Sequence, residues 1–122
     1  MTSVQSNINV HYAENVTIIA FTQQRILDQS EIKALQDSIL SVIEQAGPIN
    51  LILDFSNVQF LSSSVLGLLI RISKRVYEAG GKLALCGIIP KIFEIFKITR
   101  LTNIFDIYED VETATRALTT NQ

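Results

Sequence analysis

The feature that most restricts the fold is an alternation of two kinds of apolar pattern. Short, nearly continuous apolar runs, Val16 to Phe21 (VTIIAF), Asn50 to Phe55 (NLILDF) and Lys82 to Gly87 (KLALCG), are separated by longer segments with apolar residues at helical spacing. Runs of β-branched, aliphatic and aromatic residues this short are what strands covered on both faces require. Between the first two runs, Ile32, Leu35, Ile39, Val42 and Ile43 form a helical stripe. Asp28 or Ser30 can cap its start, and Gly47-Pro48 stops it. Between the second and third runs, a stripe passes through Leu66, Leu69, Ile70, Ile72, Val76 and Tyr77 and closes at Gly80-Gly81. Pro90 suits the first turn of a third helix carrying Ile92, Phe93, Ile95 and Phe96. Phe105 to Tyr108 reads as a short strand, and Asp110 as the cap of a last helix ending near Leu118. Ahead of all these, Ile8 to Tyr12 alternates apolar and polar residues, which predicts a half-exposed edge strand. Glu14-Asn15 supplies its hairpin turn. The order β-β-α-β-α-β-α-β-α predicts an α/β domain. Its sheet is small and mixed, mostly parallel, with about five strands packed against about four helices.

The chain has 122 residues, enough for one domain (1–122) with a core over residues 8–118 and a frayed tail from Thr119 to Gln122. It is 48% hydrophobic and only 18% charged, so disorder is excluded and some apolar surface is left for a partner. No segment approaches the roughly 20 apolar residues of a membrane span. Met1 to Tyr12 has no basic region of the kind that opens a signal peptide. One cysteine, Cys86, inside an apolar run reads as a buried small hydrophobe in a reducing compartment. These features predict a cytoplasmic protein.

Several chemistries are missing. One Cys and one His exclude a disulfide framework and a Cys/His zinc site. The glycines at 47, 67, 80, 81 and 87 form neither a dinucleotide fingerprint nor a P-loop. His11 reads as a surface or cross-strand residue. Glu109, Asp110 and Glu112 match no calcium loop and are explained by a capped first turn. No acid–base pair or nucleophilic triad has a local signature, so catalysis, metal and cofactor are not expected. Charge is uneven: residues 71–100 carry seven basic side chains against two acidic, while the flanking segments are net acidic and the whole chain is −2. Without interleaved aromatics this basic sector suits a solvated helix face or an acidic partner better than nucleic acid.

One segment carries mechanism. From Leu53 to Gly67 the chain reads LDFSNVQFLSSSVLG, placing three hydroxyls between a strand and a helix. Taken alone, Ser62 or Ser63 is a helix cap worth about 1 kcal/mol. The segment also resembles the signature of STAS domains, specifically bacterial anti-sigma factor antagonists. In that pattern a strand ending in Asp and a Ser-x-Val-x-Phe loop lead into Asp-Ser-Ser/Thr-Gly-Leu-Gly. Asp54, Ser56, Val58, Phe60, Ser63, Ser64, Leu66 and Gly67 match it. Leu27-Asp28 resembles the family's Leu-Asp before the first helix, and the similarity extends over residues 8–118. Two positions depart from the pattern: Ser62 replaces the family's Asp, and Val65 its first Gly.

The resemblance implies a non-enzymatic partner switch. Ser63 is the phosphorylated serine, with Ser62 and Ser64 as rivals, and Asp28, Asp54, Ser56, Ser62, Ser64 and Val65 make up the switch surface. Unphosphorylated, the domain binds an anti-sigma factor with serine-kinase activity and frees a sigma factor. That partner phosphorylates the serine and the complex separates, and a phosphatase resets it. Bulk from Val65 beside the hydroxyl is expected to hinder a kinase. An alternative is a non-phosphorylated STAS scaffold or adaptor in a signalling or transport complex. A lesser one is a nucleotide or small-anion module at the helix start. No oligomeric state is implied.

Overall fold

The computed structural model describes residues 2–4, 7–13 and 15–119. Among the described residues, eight strands and four helices follow one another: β1 Thr2–Val4, β2 Ile8–Ala13, β3 Val16–Phe21, β4 Arg25–Ile26, α1 Gln29–Ala46, β5 Asn50–Asp54, β6 Phe60–Leu61, α2 Ser63–Glu78, β7 Lys82–Cys86, α3 Pro90–Ile98, β8 Asp106–Tyr108 and α4 Val111–Thr119. A short 3-10 turn, Leu101–Asn103, separates α3 from β8. Six strands form one sheet in the order β1-β2-β3-β5-β7-β8. The β3–β5, β5–β7 and β7–β8 pairs are parallel and each is joined through a helix, whereas β1–β2 and β2–β3 are antiparallel. The mixed, mostly parallel α/β sheet expected from the sequence is therefore present.

Two local details differ from expectation. Ile8–Ala13 is not the edge strand, because Thr2–Val4 pairs along its outer side. β4 and β6 form a separate parallel ribbon of two residues each, too short to leave a periodic signature. In the β2–β3 hairpin, Ala13 faces Val16 and Asn15 adopts a positive φ of 72°. Asn tolerates that conformation better than most residues. Glu14, its expected companion in the turn, and Thr120 to Gln122 of the expected frayed tail lie outside the described residues. Thr119 belongs to α4.

The two faces of the sheet are covered unequally. On one side Ile8, Val10, Ile19, Phe21, Leu51, Leu53, Leu83 and Leu85 pack with the buried stripes of α1, α2 and α3. On the other, Val16, Ile52, Ala84 and Cys86 meet Ala114 and Leu118 of α4. Leu51 and Leu53 take one face and Ile52 the other, as the two-residue strand period dictates. Each fully buried aliphatic side chain contributes about 1.5–3 kcal/mol by leaving water. α1 ends at Gly47, whose φ of 75° lets its N–H turn back to the Ile43 carbonyl.

The buried stripe of α2 is Val65, Leu66, Leu68, Leu69, Ile72, Ser73 and Val76. Ile70 and Tyr77, expected on that stripe, instead lie on the wet face, 44% and 51% exposed. Arg71, Lys74, Arg75 and Glu78 share that face. Val65 is fully buried (0% exposed) and belongs to the core. Its side chain therefore lies inside the domain rather than on the exposed surface where it was expected.

Candidate partner-binding site

The candidate site is assembled where β5 ends and α2 begins. β5 delivers Asp54 to the rim of the sheet, and the next residues turn back on it. The Asp54 Oδ1 accepts hydrogen bonds from the Ser56 amide (3.0 Å) and the Ser56 hydroxyl (2.5 Å). An Asp that bonds the backbone two residues on is a local device for making a turn. Below the turn, Phe55 is buried with its ring 4.7 Å from that of Phe21, and Val58 is also buried. Gly87 passes close by with a φ of 70°; a Cβ there would lie 2.5 Å from the Ser56 Oγ and 2.8 Å from Asp54 Oδ1. That position needs glycine both for its conformation and for its lack of a side chain.

The chain then runs beside β4. The Gln59 and Phe60 amides both donate to the Gln24 carbonyl, and the Ser62 amide donates to the Ile26 carbonyl at 3.0 Å. Asn57 donates through its side chain to the Thr22 carbonyl at 2.9 Å. These bonds fix where α2 starts. Ser62 is its N-cap residue, with φ −90° and ψ 165°, yet its hydroxyl makes no capping bond. The Ser62 Oγ is buried without a hydrogen-bond partner among the described residues, so the expected serine cap is not formed. Only its carbonyl takes part, accepting from the Val65 amide at 3.0 Å.

Ser63 is the first residue of α2 and is exposed. Ser64 is half-buried, and its Oγ accepts a 2.9 Å bond from Gln29 Nε2 at the start of α1. Asp28 precedes Gln29 and is the N-cap residue of α1, but its carboxylate does not cap. Instead Asp28 Oδ2 accepts from the Ser30 hydroxyl at 2.6 Å. The structure thus brings the starts of α1 and α2 together through Gln29 and Ser64, with Asp28 alongside. Asp54 sits apart from that junction in its bonding: it holds Ser56 and raises the Cys86 pKa. The sequence does not single out Gln29; a polar residue directly after Leu27-Asp28 carries no signal for a contact 35 residues away.

The titration of Cys86 follows from this arrangement. Burial first, then the Asp54 and Asp110 carboxylates, push its thiol from 9.0 up to about 12. A thiol so held is protonated and unreactive, in keeping with its place in the core. On the far side, Asp110 accepts from the Thr113 amide at 2.8 Å and caps α4. That bond, with a smaller contribution from Arg116, holds the Asp110 carboxyl below its ordinary value. Asp110 thus serves as the cap, and Glu112 lies in the first turn of the same helix.

Residues 7–114 match the family model for the STAS domain. The chain belongs to the STAS domain family. Among solved structures it is similar to an anti-sigma-factor antagonist (STAS) domain protein from Planctomyces limnophilus. The two are 28% identical, with 94% of this chain and 100% of that one covered and a TM-score of 0.85. The phosphorylated form of the Bacillus cell-fate determinant SpoIIAA shares the fold at 16% identity, covering 90% and 98% of the two chains, with a TM-score of 0.68. So does part of the murine anion transporter Slc26a9, at 15% identity, covering 98% of this chain and 22% of that one, with a TM-score of 0.75. No helix among the described residues is long and apolar enough to cross a membrane.

Proposed function

We propose that this domain is an anti-sigma factor antagonist whose grip on a kinase-type anti-sigma factor is switched by phosphorylation of Ser63. The observation that carries the reading is the position of Ser63: exposed, first in α2, and beside the α1–α2 junction that Gln29 and Ser64 close. Asp28 and Ser56, which we include in the same surface, are exposed, and Asp54, Ser62 and Ser64 are half-buried. The partner's ATP supplies the phosphoryl group, the Ser63 oxygen gives up its proton on accepting it, and ADP leaves. A phosphatase then hydrolyses the phosphoserine with water, releasing inorganic phosphate and restoring the hydroxyl. The work is in the cytoplasm, on an unmodified chain that holds the anti-sigma factor and frees the sigma factor.

The energetics favour release without unfolding. Phosphate brings about −1.5 to −2 charges. At the start of α2 it meets free backbone N–H groups and the positive end of the helix, usually worth about 0.3–1 kcal/mol in its favour. The first turn of α2 contains no acidic residue to oppose it. The cost falls on the complex, where a charge forced against a partner without a counter-ion loses several kcal/mol. Incubation with the kinase-type anti-sigma factor and ATP, followed by peptide mass spectrometry, is expected to place one phosphate on Ser63. A Ser63→Ala chain that still gains phosphate on the same peptide contradicts the assignment.

A scaffold reading has one observation in its favour. Ser62 stands where the matched pattern has an acid, and its hydroxyl is buried, so Ser63 has no adjoining carboxylate in the chain. Co-purification with a multi-subunit complex that Ser63→Asp leaves unchanged supports this second reading over the switch.

A further inference from the structure

Beside the serines lies a cluster that the switch does not use. Phe60 is 40% exposed, and two cations sit against its ring: Lys91 Nζ at 3.7 Å from the centroid and the Arg25 guanidinium carbon at 4.8 Å. Both cationic residues are exposed. Each cation gains from the ring, but the two like charges repel one another. Among the described residues neither forms an ion pair, whereas Lys33, Arg75, Lys97 and Arg116 each reach a carboxylate. Lys91 is also placed against its own helix. It is the second residue of α3, whose first turn has no acid, so its charge adds to the positive end of that helix. α1 and α4, by contrast, carry Glu31 and Glu112 in their first turns. In a chain of net charge −2, this spot is positive by local construction and unbalanced from within.

We propose that Phe60, Arg25 and Lys91 form an anchor for an acidic segment of a partner protein, whose carboxylates pair with the two cations. A carboxylate supplies the missing counter-charge, and the exposed side chain of Leu27, two residues after Arg25, adds an apolar rim. An acidic peptide fits better than single-stranded nucleic acid, because cations already lie over the ring on which a base would stack. The anchor goes beyond the switch: it operates on the unmodified chain and stands or falls without phosphorylation.

The test is a nitrogen-15 NMR titration of the full chain with a polyglutamate peptide at low salt. The expected result is a set of shifts centred on Arg25, Phe60 and Lys91 that weakens with added salt. An Arg25→Gln/Lys91→Gln chain, whose changes lie on the surface and leave the rest of the spectrum in place, binds at least tenfold more weakly. Three results overturn the proposal: shifts spread equally over Lys74, Lys82 and Arg100, undiminished binding by the double variant, or stronger shifts at the same amides from oligothymidylate or inorganic phosphate. Because no kinase or ATP is present, failure here leaves the Ser63 reading untouched.

Discussion

The start of α4 and the start of α2 answer the same physical problem in opposite ways. Every helix begins with amides that have no partner inside the helix. α4 meets this with Asp110, whose carboxylate accepts from the Thr113 amide, and with Glu112 in the first turn. α2 has serines at the same place, but among the described residues its Ser62 hydroxyl finds no bonding partner and its first turn holds no acid. One end is closed by its own side chains. The other is held in position by backbone bonds from Ser62 to Ile26 and from Val65 to Ser62, and its Ser63 faces solvent. The difference teaches where to look for function: a helix start that is firmly placed yet electrostatically open suits an incoming negative charge.

The largest effect comes from two acids introduced two residues apart. Val65→Asp places an unpaired charge in the core and is expected to cost more than about 4 kcal/mol, unfolding much of the population. Ser63→Asp puts the same group at the open helix start and changes stability by less than about 1 kcal/mol, in the favourable direction. Urea denaturation of the two chains checks both. If they lose stability equally, α2 does not divide into a buried and an open side at its first turn.

That contrast also marks how far the sequence could be read. The alternation of apolar runs and stripes located the central strands β3, β5 and β7 and all four helices, because burial on two faces or on one stripe leaves a period behind. It did not reveal β1 or the β4–β6 ribbon, which are too short to show one. The phase of α2 is ambiguous in the sequence because Leu66, Leu68, Leu69 and Ile70 crowd together, so apolar residues alone do not define the stripe. The charges at 71, 74, 75 and 78 mark the wet face, and with it the burial of Val65. Ser63 was found from local order along the chain. The Gln29–Ser64 bond and the Arg25 cation on Phe60 depend on β4 lying beside β6, a pairing with no local trace.

A middle-sized effect tests the closed end. Asp110→Ala removes the cap of α4 and is expected to lower Tm by a few degrees. The sign with pH follows from the depressed Asp110 pKa. A carboxylate more acidic in the fold than in the unfolded chain stabilises above its ordinary pKa, and that contribution disappears as pH falls through its lower folded value. Measured from roughly pH 6 to pH 2, the gap in Tm between the parent and Asp110→Ala chains should narrow toward acid. A gap that widens there contradicts the role given to the cap.

The smallest effect tests the open end. An ordinary N-cap serine is worth about 1 kcal/mol, so Ser62→Ala would normally cost that much. With its hydroxyl buried and unbonded, the change is expected to lie within about 0.5 kcal/mol of zero or to stabilise slightly. A full capping loss on thermal melting would show that Ser62 closes α2 after all and would erase the contrast with Asp110.

The central claim is that charge added at Ser63 acts on the complex rather than on the fold. Isothermal titration calorimetry of the anti-sigma factor against the unmodified and the Ser63-phosphorylated domain measures this directly. The prediction is binding weakened at least roughly hundredfold, about 2.7 kcal/mol, while the free domain melts at an unchanged or slightly higher temperature. Equal affinity for the two forms, or release matched by a fall in Tm, contradicts it.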